Sequence, residues 1–297
     1  MGIRITEQSR LTNHVSYLQN AETQFNQVQQ QLSTGRRVDV PSDDPEGTSI
    51  SMGFRRDLIF ETQMRRNIEG GVAYMNSSES ALDSSTEVIH RARELAVQGS
   101  NGTNSQSGRD AMAIEVDQLL QQMVQIGNTN FSGSYIFAGQ KTDQPAYTTT
   151  TGTGGITSVT YQGDTGQRIR RISRQDTSAV NVNGPQAFGT VFQHLIDLRD
   201  NLRAGSPNIN QSMQALDKDL DTVLAARADL GARVNAFNDA TNRSMGRDTE
   251  LQQLRANIED VDVVDSIVKL TARQNQLQAA LGAIGTTMNM TLLNYLH

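Results

Sequence analysis

The side chains best placed to do chemistry are the carboxylates of "VDVPSDDPEG", residues 38–47, where Asp43 and Asp44 stand between Pro41 and Pro45. Two adjacent carboxylates could ligate a divalent cation. Neighbouring side chains point different ways on most backbones, however, and no His or Cys lies near them to complete a ligand set. His14, His90, His194 and His297 are scattered, and none stands at metal-ligating spacing from a second ligand. No serine sits in a G-x-S-x-G context, and the chain has no cysteine to serve as a nucleophile. "GTGG" at 152–155 lacks the lysine and the strand–helix setting of a phosphate loop, so it reads as a turn. "QRIRRISR" at 167–174 could meet an acidic surface; the simpler reading is a hairpin whose arginines discourage edge pairing. The residue types therefore predict no catalytic, metal or cofactor site.

The aspartates make better sense as punctuation. Gly35 fits the left-handed position that closes a helix. Pro41 cannot continue a helix and biases Val40 away from one. Asp44 before Pro45 reads as an N-cap followed by proline at the first helical position. Asp43 and Glu46 add negative charge where the new helix is positive. Gly35, Pro41, Ser42, Asp43, Asp44 and Pro45 thus form a candidate connector: a stop, an irregular stretch and a capped restart.

On either side the pattern is helical. Residues 5–34 carry a narrow stripe, Leu11, Val15, Leu18, Ala21, Phe25, Val28 and Leu32, at spacings of three and four. Residues 45–99 continue with Phe54, Leu58, Ile68, Val72, Met75, Leu82, Ile89 and Ala96, and 109–130 with Ile114, Leu119, Met123 and Ile126. Residues 131–190 lose that period and turn to Thr, Gly, Val, Ile and Tyr, the composition of short strands and turns. Helix returns from 191 to about 203 and from 210 to about 254. A last helix over 258–296 bears Ile267, Leu270, Leu277, Leu281, Ile284, Met288 and Leu292. Neither terminal stripe can be buried alone, so the two are expected to bury against each other or against neighbouring molecules. The expected domains are nested: 1–40 with 258–297, 41–137 with 191–257, and a β-rich segment at 138–190.

Bulk properties agree with a structural role. The 297 residues carry a formal net charge of −6, which does not suggest a dedicated binder of nucleic acid or of a membrane surface. Aromatics make up 5% and tryptophan is absent, a composition suited to thin bundles rather than a thick core. Without cysteine no disulfide can form, and no stretch approaches the ~20 apolar residues of a membrane span. No cleavable signal pattern is visible near the start.

These residues resemble the bacterial flagellin superfamily. "LSTG", the pair Arg36–Arg37 and the "DDP" restart are similar to its N-terminal region; so are "IHRARELAVQGSNGTNS" at 89–105 and, for its C-terminal helix, "IEDVDVVDSIVKLTARQNQLQAALGAIG" at 258–285. Within the superfamily, "PSDDP" at 41–45, "GSYIFAGQKTDQPAY" at 133–147 and the final "LLNYLH" resemble the hook–filament junction branch more than the filament subunits. The start "MGIRIT" carries one residue more than the usual opening.

The resemblance implies a mainly α fold with a β-rich insert: an elongated helical bundle, terminal helices paired as a coiled coil, and a small outer β domain. It implies a non-enzymatic subunit without cofactors, located on the extracellular flagellum. The subunit would be exported unfolded through the type III apparatus with the help of a chaperone, without a cleaved signal. It would assemble as a ring of copies between the first hook-associated protein and flagellin. In flagellins the segment matching 91–98 is also recognised by an innate-immune receptor, which would draw attention to Arg91, Leu95 and Glu115. The alternatives are an atypical flagellin that builds the filament itself and, from another class, a soluble coiled-coil adaptor or enzyme.

Overall fold

The computed structural model describes the backbone of residues 7–295, with the side chains of residue 9 and of residues 12–286. The order is α1 (Glu7–Thr34), α2 (Pro45–Gly99), α3 (Gln106–Gly127), β1 (Asn130–Phe131), β2 (Ser134–Tyr135), β3 (Tyr147–Gly152), β4 (Gly155–Tyr161), β5 (Ile169–Arg171), β6 (Thr177–Ala179), α4 (Gly184–Phe188), α5 (Val191–Ala204), α6 (Ile209–Glu259) and α7 (Val263–Tyr295). The fold is mainly α with a small β insert. The strands form three separate antiparallel hairpins, β1–β2, β3–β4 and β5–β6. The helical period of the sequence forecasts the helices closely. Two differences stand out: α4 is a short helix, capped by Asn183, inside the stretch read as strands and turns, and the break before the last helix lies at 260–262, because α6 runs on to Glu259 and α7 begins only at Val263.

The chain divides into two compact units, one made of residues 1–60 and 247–297, the other of residues 61–246. The divisions fall within α2 and within α6. The segment 138–190 lies inside the second unit.

In the second unit Ile68, Met75, Leu82 and Ile89 of α2 recur at sevens and are fully buried, as the sequence stripe predicts. On α3 the buried side is Met112, Val116, Leu120 and Met123, whereas Ile114 of the predicted stripe is exposed. Five of the aromatic side chains are gathered. Phe137, Tyr147, Phe188 and Phe192 stack at centroid separations of 4.4–5.9 Å, and Tyr161 lies 5.3 Å from Tyr147. Such edge and tilted contacts add to plain burial. A buried ion pair ties helix to hairpin here. Arg199 of α5 is only 2% exposed. Its guanidinium donates to Asp117 of α3 at 2.8 Å, to the Ile156 carbonyl of β4 at 2.7 Å and to Asp200 at 2.8 Å.

Removing one partner of a buried pair strands the other, which costs far more than a surface ion pair is worth. Arg199→Met is therefore expected to destabilise the 61–246 unit by about 3 kcal/mol. The midpoint of its urea unfolding transition reads this directly; an unchanged midpoint would show that Asp117 and the Ile156 carbonyl find other donors.

Candidate functional site

The connector of the first unit is built from local rules and then fastened by a distant segment. Gly35 ends α1 with φ +70°, a conformation costly for any side-chain-bearing residue. Asp44 caps α2: its Oδ1 accepts from the Gly47 amide at 2.8 Å while its carbonyl accepts from Thr48 at 2.9 Å. The Gly47 amide, then the Arg37 guanidinium at 3.0 Å, holds the Asp44 carboxyl below its ordinary value. Asp43 does something the sequence reading did not foresee. Its Oδ2 accepts from the amides of Asp39 and Val40 at 3.1 and 3.0 Å, closing the turn that carries Pro41 and Ser42. The two carboxylates thus bind different backbone donors.

The distant partner is the gap between α6 and α7. Val261 donates to the Gly35 carbonyl at 3.0 Å, and Arg37 donates to the Glu259 carbonyl at 2.7 Å. These bonds flank an antiparallel bridge between Arg36 and Asp260. The interruption of the N-terminal arm is therefore paired with an interruption of the C-terminal arm. Sequence reasoning placed this second break too early, between about 254 and 258, and so started the last helix five residues before Val263. Its signal was Asp262, which caps α7 by accepting from Val264 and Asp265 at 2.9 and 3.1 Å.

Glu259 stands where the two breaks meet, and it is 6% exposed. Its Oε1 accepts from the Ser51 hydroxyl and from Arg55 Nε and Nη2 at 3.0 and 2.7 Å; Arg255 Nε lies 3.8 Å from Oε2. Burial pushes the carboxyl up, but the Ser51 and Arg55 hydrogen bonds outweigh it and hold the pKa below the ordinary 4.5.

Beyond the connector, α1 packs against α7. The facing side of α1 is Leu18, Ala21, Phe25, Val28 and Leu32; that of α7 is Ser266, Leu270, Arg273, Leu277, Ala280 and Ile284, both at spacings of three and four. Most are half-buried, since each helix covers only one side of the other. Val15, Ile267 and Leu281 of the sequence stripes lie off this seam and are exposed. Leu11, Met288 and Leu292 lie outside the residues whose side chains are described. The first two turns of α7 leave a further apolar surface uncovered by the rest of the chain, with Val264, Ile267 and Val268 exposed by 75%, 50% and 64%.

Elsewhere, Arg91 Nε meets Glu115 Oε1 at 2.6 Å, while Leu95 is buried and faces the core. His194, which sequence spacing left without a partner, lies with Nδ1 2.6 Å from Asp219 Oδ2, and Thr190 donates to Asp219 Oδ1 at 3.2 Å. Burial raises the Asp219 carboxyl although the His194 ring opposes it. Among the described residues, no group of three or more His, Asp or Glu could hold a metal ion, and no helix is long and apolar enough to cross a membrane.

Comparison with known proteins agrees with this architecture. The family model of the bacterial flagellin N-terminal helical region matches residues 5–142, and that of the bacterial flagellin C-terminal helical region matches residues 213–296. The chain is 27% identical over 278 residues to the flagellar filament 30.7 kDa core protein of Treponema maltophilum, covering 93% of this chain and 92% of the relative. It is 26% identical over 314 residues to flagellar hook-associated protein 3 of Escherichia coli strain K12, covering 98% of each. Among solved structures, flagellar hook-associated protein 3 of Legionella pneumophila aligns with a TM-score of 0.60 at 17% identity, over 68% of this chain and 98% of that one; this likeness speaks to the fold.

Two predictions test the connector. A Cβ on Gly35 would meet nothing within 4 Å, so Gly35→Ala isolates the cost of the left-handed backbone. The expected loss is about 1 kcal/mol in the unfolding of the 1–60/247–297 unit, measured by urea titration. For pH, a folded-state carboxyl below 4.5 gives Glu259 a stabilising contribution above pH 4.5 that fades as pH falls through the lower folded value. The melting temperature of that unit should drop more steeply below pH 4.5 in the native chain than in Glu259→Gln; equal slopes would refute the assignment.

Proposed function

The chain belongs to the bacterial flagellin family of flagellar structural proteins, and we propose that it is the subunit that joins hook to filament. The observation that carries the reading is the match to hook-associated protein 3 over 98% of each chain. The "PSDDP" connector, "GSYIFAGQKTDQPAY" and the "LLNYLH" end support the junction branch.

In this reading the chain is non-enzymatic. It travels unfolded through the type III export apparatus with a chaperone, uses no cleaved signal, and works outside the cell on the flagellum. Copies assemble as a ring, with the first hook-associated protein on one side and flagellin on the other. The terminal helices α1 and α7 act as a coiled-coil domain and the residues 138–190 face outward. The uncovered Val264, Ile267 and Val268 supply apolar area that a neighbouring subunit can bury. Val15 of α1 and Leu281 of α7, both exposed, are further candidates for subunit contacts, and Leu11, Met288 and Leu292 are candidates from the sequence alone. A filament-forming role is the second reading, and the similarity to a filament core protein at nearly equal identity favours keeping it in view.

Immunogold electron microscopy of isolated flagella, with antibody to residues 138–190, separates the two. One gold cluster at the hook–filament boundary is the expected result; label along the whole filament would make the protein a flagellin. The double variant Ile267→Asp, Val268→Asp changes only exposed side chains. It should leave the thermal unfolding of the monomer within about 0.5 kcal/mol while abolishing incorporation into flagella. Normal incorporation would sink the proposed assembly surface.

A further inference from the structure

The first unit has two breaks in helix, and from the end of α6 a single residue touches both the connector and α2. Glu259 ends α6. Its backbone carbonyl accepts from Arg37 of the connector, and its buried carboxylate accepts from Ser51 and Arg55 of α2. Arg37 returns across the same gap: its guanidinium donates to the Ile258 carbonyl at 3.2 and 2.9 Å and to the Asp44 carboxylate at 3.0 Å. The charged groups around the joint are Arg55 of α2, Arg255 of α6, Arg36, Arg37, Asp39, Asp43 and Asp44 of the connector, and Asp260 and Asp262 of the second break. A buried carboxylate is an expensive choice for such a place. An apolar side chain would fill the space without demanding donors at fixed positions, and replacing buried ionic groups by apolar ones is often neutral or stabilising. What the carboxylate adds is direction, because three donors must converge on one oxygen.

We propose that Glu259 is the latch of a locked joint: it fixes in one geometry the paired breaks at 35–44 and 260–262, and so the way α1 and α7 continue from the adjoining ends of α2 and α6. The latch works within one unit of one chain, and the inference stands whether the assembled structure is a junction or a filament. Packing of α1 on α7 does not supply this constraint, since the half-buried seam between two helices permits small rolls and slides that directed hydrogen bonds do not. The exposed pair between Lys269 and Asp265 on α7, at 2.5 Å, provides the contrast: a solvated surface contact on one helix that fixes nothing beyond it.

Hydrogen exchange on the full-length monomer, resolved to single amides, tests the latch. Arg37 and Val261 donate the two shorter of the backbone bonds across the breaks and should exchange slowly in the native chain. In Glu259→Gln they should exchange at least tenfold faster, with protection in 61–246 unchanged. Arg55→Gln leaves the carboxylate in place and should give the same local loss to a smaller degree; it decides the matter if Glu259→Gln does not fold. Lys269→Gln should change neither amide. Native-like protection of Arg37 and Val261 in both Glu259→Gln and Arg55→Gln would overturn the proposal. So would loss of protection spread evenly through 61–246, which would make Glu259 a general stabiliser. Failure of the junction reading would show only in microscopy of flagella and would leave these exchange rates as they are.

Discussion

A helix of 28 residues with one narrow apolar stripe cannot be stable by itself in water, because nucleation is costly and an uncovered stripe returns little. That constraint on α1 governs the rest of its unit. Its partner, α7, arrives from the other end of the chain. The ordering of the sequence, with helices at both ends and everything else between them, follows from that pairing. Once the two arms run side by side, an interruption in one has to be answered in the other, or the helices would fall out of step. The connector at 35–44 is answered at 260–262, and the Arg36–Asp260 bridge lies where the two interruptions cross.

Polar groups recur where these elements must be placed in register. In the first unit the Glu259 carboxylate gathers Ser51 and Arg55. In the second, Ser244 donates to Glu61 at 2.8 Å, and Arg227 of α6 meets Glu79 and Asp83 of α2 at 2.6 and 2.8 Å. An apolar stripe of Leu, Met and Ile tolerates a slide of one turn, since each layer looks much like the next. A charge that has one matching donor does not. The long, low-aromatic helices of this chain therefore carry their specificity in a few ionic contacts and their bulk stability in small apolar layers.

How much of this could be read from the residues depended on how local the cause was. Gly35 and the Asp44–Pro45 cap act on their own backbone, so their types and order announced them. The second break has no proline or glycine to mark it. The apolar period at 263–284 runs up to it without a visible stop, and only Asp262 hints at a new helix start. Ile114, Val15, Ile267 and Leu281 keep the right spacing but lie beside the covered side rather than on it, because a period identifies a stripe and not the width that the partner covers. The convergence of Ser51, Arg55 and Arg37 on the end of α6, the pairing of His194 with Asp219, and the stacking of aromatics from 137 to 192 join residues far apart in sequence. No spacing rule carries that information.

The hairpins show why the insert and its neighbouring helices form one compact unit. A two-stranded hairpin is marginal in water without something to cover it. Each of the two longer ones is fastened by a side chain that a helix supplies or ends with. Asn128, just past α3, exchanges hydrogen bonds with the backbone of Tyr147 at the start of β3, both at 2.8 Å. Arg199 of α5 reaches the Ile156 carbonyl of β4. Arg233 of α6 donates to the carbonyls of Ala179 and Asn181 at the end of β6, at 3.4 and 3.0 Å. Helix side chains thus take the place of the third strand that a free-standing sheet would require. The hairpins can then stay short, and a short edge guarded by Arg170 and Arg171 offers little for another chain to pair with. Variation in the hairpin tips is compatible with an unchanged bundle as long as Asn128, Arg199 and Arg233 keep their carbonyls.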